Sequence, residues 1–192
     1  MLFFVKTILF SLLLFVLTFK AAAEEFWRLR YFLPYSTENE ITRNFKKSKK
    51  NLRTNGHGSN FIFANGIGLG YCTLLTNGII EGVYYKFKNH SLNLSYTLGS
   101  SLSFTLGVGK LINGRGELNY NGKNFVTEKS TGESFFSDLG VPFFGGEFII
   151  GYRQNFTEYN NFQTQISEES IVLDDTVKLH SSQFNVGLGL LF

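Results

Sequence analysis

Alternation with period two dominates the chain after residue 24. Leu92, Leu94, Tyr96 and Leu98 stand against Asn93, Ser95 and Thr97. Leu102, Phe104, Leu106 and Val108 stand against Ser103, Thr105, Gly107 and Gly109. Successive side chains of a strand point to opposite faces, so this pattern predicts β-strands with one apolar face and no long helix. Eight such stretches are bounded by Gly, Asn and Ser: about 25–34, 58–73, 79–88, 91–98, 102–112, 134–143, 146–160 and 180–192. Short connections are expected at 74–78, 88–90 and 99–101, and long ones at 35–57, 113–133 and 161–179.

Alternation has no sign. A soluble barrel turns the apolar face inward, and a membrane barrel turns it outward. Three features favour the second. The polar faces are rich in Gly, Ser, Thr and Asn, which suit a narrow interior. Arg28, Arg30, Glu147 and Arg153 fall on those faces, where charges can pair as an interior plug but could not face lipid. Aromatics such as Trp27, Tyr31, Phe61, Tyr71, Tyr84, Tyr85 and Tyr152 cluster toward strand ends, as interfacial girdles do. With both chain ends on the periplasmic side, three of the four outer joins are the long ones. The expected fold is all-β, an eight-stranded antiparallel up-and-down transmembrane β-barrel spanning 24–192. A soluble lipocalin-like barrel is the alternative fold.

Composition supports the membrane. Charged residues are 17% of the 192, against roughly 25% in soluble domains. There are 22 Phe and 20 Gly but only 2 Pro. Residues 1–23 read as a cleaved secretory signal: Lys6, an apolar run from Ile8 to Phe19, then Ala21-Ala22-Ala23. Its removal takes away Lys6 and Lys20 and lowers the formal charge from +3 to +1. No global basic field remains for nucleic acid. The lone Cys72 forms no internal disulfide and reads as a small apolar side chain.

The final strand adds a resemblance. Phe184, Val186, Leu188, Leu190 and the terminal Phe192 alternate with Asn185, Gly187 and Gly189. This run resembles the C-terminal assembly signal of outer-membrane β-barrel proteins. In size and strand number the chain looks like the small barrels of the OmpA-transmembrane and OmpX type. The resemblance implies a bacterial outer-membrane location in a Gram-negative envelope. It also implies contact with outer-membrane lipids and lipopolysaccharide, and reading of the last strand by the barrel-assembly machinery.

Candidate chemistry is sparse. Arg43, Lys46, Lys47, Lys49, Lys50 and Arg53 crowd the first long loop. They suit lipopolysaccharide phosphates or another anionic surface, and a host or envelope ligand is a further candidate. The last loop is acidic, with Glu158, Glu168, Glu169, Asp174 and Asp175, but lacks calcium-loop spacing. His57 and His90 form no metal-ligand cluster. No cofactor is indicated. His180 and Ser182 have the His-x-Ser spacing of outer-membrane lipid A deacylases, without a clearly placed acid. The expected role is non-enzymatic surface interaction or envelope integrity. A lipid A-modifying enzyme and a narrow passive channel are the alternatives.

Overall fold

The computed structural model describes residues 27–43, 46–48, 52–99, 102–166, 169–173 and 176–192. The signal segment 1–23, Lys49, Lys50, Glu168, Asp174 and Asp175 lie outside the described residues. The chain runs through β1 Arg28–Arg43, β2 Lys46–Ser48, β3 Leu52–Ile62, β4 Ile67–Ile80, β5 Val83–Leu98 and β6 Ser103–Tyr120. It continues through β7 Lys123–Thr127, β8 Ser130–Phe143, β9 Gly146–Tyr159, β10 Phe162–Ile166, β11 Glu169–Leu173 and β12 Val177–Leu191. β1, β3, β4, β5, β6, β8, β9 and β12 close an eight-stranded antiparallel barrel. The seam pairs β1 with β12, from Arg28↔Leu191 to Arg43↔Val177. It ends where Trp27 N–H donates to Phe192 O at 2.9 Å and Phe192 N–H to Trp27 O at 3.1 Å. Both described ends of the chain therefore lie at one rim, the near end.

Several strand boundaries differ from the sequence reading. The stretch 58–73 is two strands, β3 and β4, joined through Ala64-Asn65-Gly66. Gly66 takes φ +86°, which an L side chain resists, and Phe63 N–H meets Ile67 O at 2.8 Å across this turn. The expected turn at 74–78 lies inside β4, where Asn77 pairs with Arg53 and Lys86. The expected connection at 88–90 lies inside β5, which absorbs both 79–88 and 91–98 from Val83 onward. The real join between β4 and β5 is Glu81-Gly82. The long loops 35–57, 113–133 and 161–179 are largely strand, because the barrel strands run on past the apolar band.

The reason is a reversal of polarity along the wall, clearest on β5. On β5 one uninterrupted alternation directs Val83, Tyr85, Phe87, Asn89, Ser91, Asn93, Ser95 and Thr97 inward, all of them buried. Outward stand Tyr84, Lys86, Lys88 and His90, then Leu92, Leu94, Tyr96 and Leu98. Below His90 the wall is apolar outside and polar inside. Above it the wall is polar outside and apolar inside. The lower band is continued around the barrel by Leu69, Leu106, Val108, Ile150 and Leu188, each more than 40% exposed. A contiguous apolar belt of this kind belongs in lipid. The upper interior is a dry core of Ile41, Leu52, Phe87, Leu118, Tyr159, Phe162 and their neighbours. β5 has 16 residues. At about 3.3 Å per residue and a tilt of about 40°, it rises about 40 Å, against an apolar band of about 25 Å. Roughly 15 Å of folded wall projects beyond the band at the far end.

Leu94→Lys, in the middle of the band, is expected to lower stability by about 2–4 kcal/mol. Lys88→Leu, on the same face of the same strand but above the reversal, should stay within about 0.5 kcal/mol. Urea unfolding in phospholipid vesicles compares the two. Equal losses would contradict the reversal.

Candidate functional site

The near end of the lumen is closed by an ionic cluster. β1 directs Arg28 and Arg30 inward, and β9 directs Glu147 between them; all three are at most 5% exposed. Arg30 Nε donates to Glu147 Oε1 at 2.6 Å and its Nη2 to Oε2 at 2.9 Å, a two-point grip. Arg28 Nη1 reaches Oε2 at 3.0 Å, and its Nη2 donates to Gly99 O at 2.8 Å. Ser103 and Thr105 on β6 complete the cluster from across the lumen, accepting from Arg30 at 2.8 and 2.5 Å.

Further in, Arg153 on β9 is fully buried. Its guanidinium lies 4.3 Å from the Phe136 ring centre and 5.6 Å from that of Phe32. Two glycines make room for those rings: a Cβ at Gly58 would collide with Phe32, and one at Gly107 with Phe136. Around Arg153 lie Asn93, Ser134, Asn155 and Gln183, and Asp138 sits two residues along the strand from Phe136, receiving Asn185 Nδ2 at 3.1 Å. Asp138 and the Asn side chains were not singled out by the sequence reading. Their one legible signal was the inward phase of the alternation.

The far end is sealed by apolar contact instead. Phe87 stacks on Tyr159 at 4.5 Å. Burial pushes the Tyr159 hydroxyl above its usual range, and it donates to Asn89 Oδ1 at 2.5 Å. Beyond the seal, the β6–β7 hairpin and β10 flank a concavity of about 840 Å³. Arg115, Lys123 and Lys129 line it, with Glu128, Asn124, Gln163 and Thr164. Arg115 also meets Glu117 at 3.0 Å. This basic concavity joins two hairpins remote in sequence, and no motif announced it.

The other candidates take these places. Arg43 ends β1, Arg53 is exposed on β3, and the backbones of Lys46 and Lys47 belong to β2, so the described part of the basic run sits at the far end. Phe184, Val186, Leu188, Leu190 and Phe192 all face outward in the apolar band. The three histidines each stack on an aromatic ring near the band's upper edge: Tyr31–His57, Tyr71–His90 and Phe156–His180. Among the described residues no group of three or more His, Cys, Asp or Glu is placed to hold a metal. His180 and Ser182 share the outward phase of β12, and Glu40 lies opposite His180 in register. His180 Nε2 has no hydrogen-bond partner among the described residues.

Glu147→Gln leaves two buried guanidiniums without a counter-charge. A loss of about 3–5 kcal/mol is expected. The triple variant Arg28→Met/Arg30→Met/Glu147→Met should lose less, because it removes every charge of the cluster together. Urea midpoints of the folded barrel give the comparison.

No family model matches the chain, and no curated protein matches its sequence. Solved structures do match. Neisserial surface protein A aligns over 83% of this chain and 96% of its own, with a TM-score of 0.55 and 10% identity. Ail, the attachment invasion locus protein of Yersinia pestis, aligns over 88% and 99%, with a TM-score of 0.51 and 14% identity. A second Ail structure, in complex with the heparin analogue sucrose octasulfate, has a TM-score of 0.50, 14% identity and 86% and 99% coverage. These neighbours are bacterial outer-membrane barrels. The closed eight-strand sheet, the apolar belt and the polar lumen together make this chain a small barrel of the outer-membrane, OmpA/OmpX-like fold.

Proposed function

We propose that this protein is a non-enzymatic surface barrel of the bacterial outer membrane, whose far end faces outward and binds an anionic saccharide or lipopolysaccharide headgroup. The observation that carries the reading is the polarity reversal. It gives the far end a dry core of its own, so the hairpins there stand as a fixed body above the lipid. The basic concavity lies on that body, and Arg43, Arg53 and the β2 lysines belong to the same end. Charge-assisted contacts from Lys and Arg suit phosphate and sulfate groups. The complex of the structurally similar Ail with a sulfated sugar supports the choice of ligand class. The ionic cluster and the apolar seal both argue against a passive channel, and planar-bilayer recording should give no large steady conductance.

Orientation is tested by cysteine labelling on intact cells, since the native Cys72 is buried. A membrane-impermeant maleimide should label Lys123→Cys at once. It should label Phe144→Cys, in the near-end turn, only after the outer membrane is opened. The reverse order would overturn the orientation. For the ligand, Arg115→Gln/Lys123→Gln/Lys129→Gln should weaken binding to heparin or lipopolysaccharide at least tenfold at low salt, with a flatter salt dependence. Unchanged binding would remove the concavity from the function.

A second reading rests on one observation. Glu40 and His180 pair in register across β1 and β12 beside a groove of about 460 Å³ that also holds Phe156 and Lys178, and Ser182 lies two residues further along β12 in the same phase. An acid, a base and a hydroxyl at the lipid edge suit ester hydrolysis of an outer-leaflet lipid. A lipid A acyl count unchanged by the purified protein excludes it.

A further inference from the structure

Arg30 and Arg153 turn the same kind of guanidinium edge into the lumen, and among the described residues only one of these edges has a partner. Arg30 uses Nε and Nη2 to grip the two oxygens of Glu147. On Arg153 the equivalent Nε and Nη2 have no hydrogen-bond partner among the described residues, although the side chain is 0% exposed. Its third nitrogen, Nη1, donates to Asn93 Oδ1 at 3.2 Å and Ser134 Oγ at 3.1 Å. Phe136 and Phe32 cover the guanidinium faces. What remains is the in-plane edge, a two-point donor.

Other donors share the need. Asn93 Nδ2 and Asn155 Nδ2 are buried and unpartnered among the described residues. The orientation of Asn93 is fixed by its acceptance from Arg153. Charge points the same way. The buried lumen residues include three cations, Arg28, Arg30 and Arg153, but two carboxylates, Asp138 and Glu147. Asp138 accepts a hydrogen bond from Asn185 and, among the described residues, leaves the Arg153 edge unpartnered. Water satisfies donors without cancelling charge, and an isolated buried charge is costly.

We propose that Arg153 holds a small inorganic anion, of the halide class, in the plane of its Nε and Nη2 edge. Along the lumen this edge lies between the Glu147 cluster on one side and the Phe87–Tyr159 stack on the other. The anion completes the neutralisation of the lumen, as Glu147 does for Arg30. The proposal concerns the lumen alone and stands whether or not the far end binds saccharides.

The probe is bromide, applied to the folded barrel in detergent. Crystals grown in bromide should show an anomalous bromine peak in the plane of the Arg153 edge. Heat-unfolding midpoints, followed by the gel shift between folded and unfolded forms, should rise with bromide when gluconate holds the ionic strength constant. Above the dissociation constant, each tenfold rise in bromide should raise the folded-to-unfolded ratio tenfold. Arg153→Met should lose that dependence. Gln183 faces Arg153 in register on β12, so Gln183→Glu supplies an internal anion. It should fold, lose the bromide response and match in gluconate the midpoint that the unaltered protein reaches in bromide. Three results would overturn the proposal: a water with no anomalous signal at the edge, the same bromide response in Arg153→Met, or an undiminished response in Gln183→Glu.

Discussion

Everything in this molecule follows from the need to close the sheet. In lipid an unpaired backbone N–H or C=O has no water to turn to, so an open edge is untenable. The β1–β12 seam removes the edge, and the Trp27–Phe192 pair carries it to the rim. Closure with eight strands leaves an interior just wide enough for side chains. Half of all strand residues are thereby forced into a narrow tube. Small residues opposite large ones are the only way to fill it, as Gly58 opposite Phe32 and Gly107 opposite Phe136 illustrate. Those two rings then flank Arg153, so the steric solution to closure also sets the electrostatics of the lumen.

The same geometry accounts for the polarity reversal. A strand cannot change which side chains point inward without a bulge, and β5 keeps its phase from Val83 to Thr97. What changes is the medium outside. Beside lipid the outer face must be apolar, and the inner face satisfies itself with hydrogen bonds. Beside water the outer face is free to be polar, and stability then comes from apolar burial within. Lys88 and Leu92 mark the change outside, and Phe87 and Asn93 mark it inside. A barrel with one backbone rule thus carries two cores of opposite character.

That reversal also decides what was legible in the sequence. The outward rows of Leu, Val and Phe in the lipid belt were plain, and so was the last strand to Phe192. The inward phase of Arg28, Arg30, Glu147 and Arg153 could be read as well. The turn positions could not. Where Lys86 and Lys88 replace leucines on the outer face, the pattern looks like an ending, and a false connection at 88–90 results. Thr76-Asn77-Gly78 has turn composition, yet it is paired on both sides. Pairing partners decide such cases, and they lie on other strands. The lumen's charge balance was hidden for the same reason. Asp138 looks like any polar residue until β8 is placed beside β9, and the single-sided satisfaction of Arg153 depends on groups from β5 and β8.

The two ends of the lumen are sealed by different forces, and this bears on where function can lie. At the near end the seal is a salt-bridged cluster with nearly every donor engaged. At the far end it is packing, and packing reaches outward into the hairpins. Phe125 on β7 and Phe162 on β10 both belong to the far-end core. These two strands flank the basic concavity and touch through the Gln163↔Val126 pair. The walls of that concavity are thus anchored by buried aromatic rings beneath it. Ordering a binding surface at the moment of association weakens affinity, whereas a surface ordered during folding does not incur that loss again. The dry core above the membrane therefore does more than lengthen the barrel. It holds Arg115, Lys123 and Lys129 on a preformed scaffold, which is the condition under which a few exposed cations can select an anionic partner.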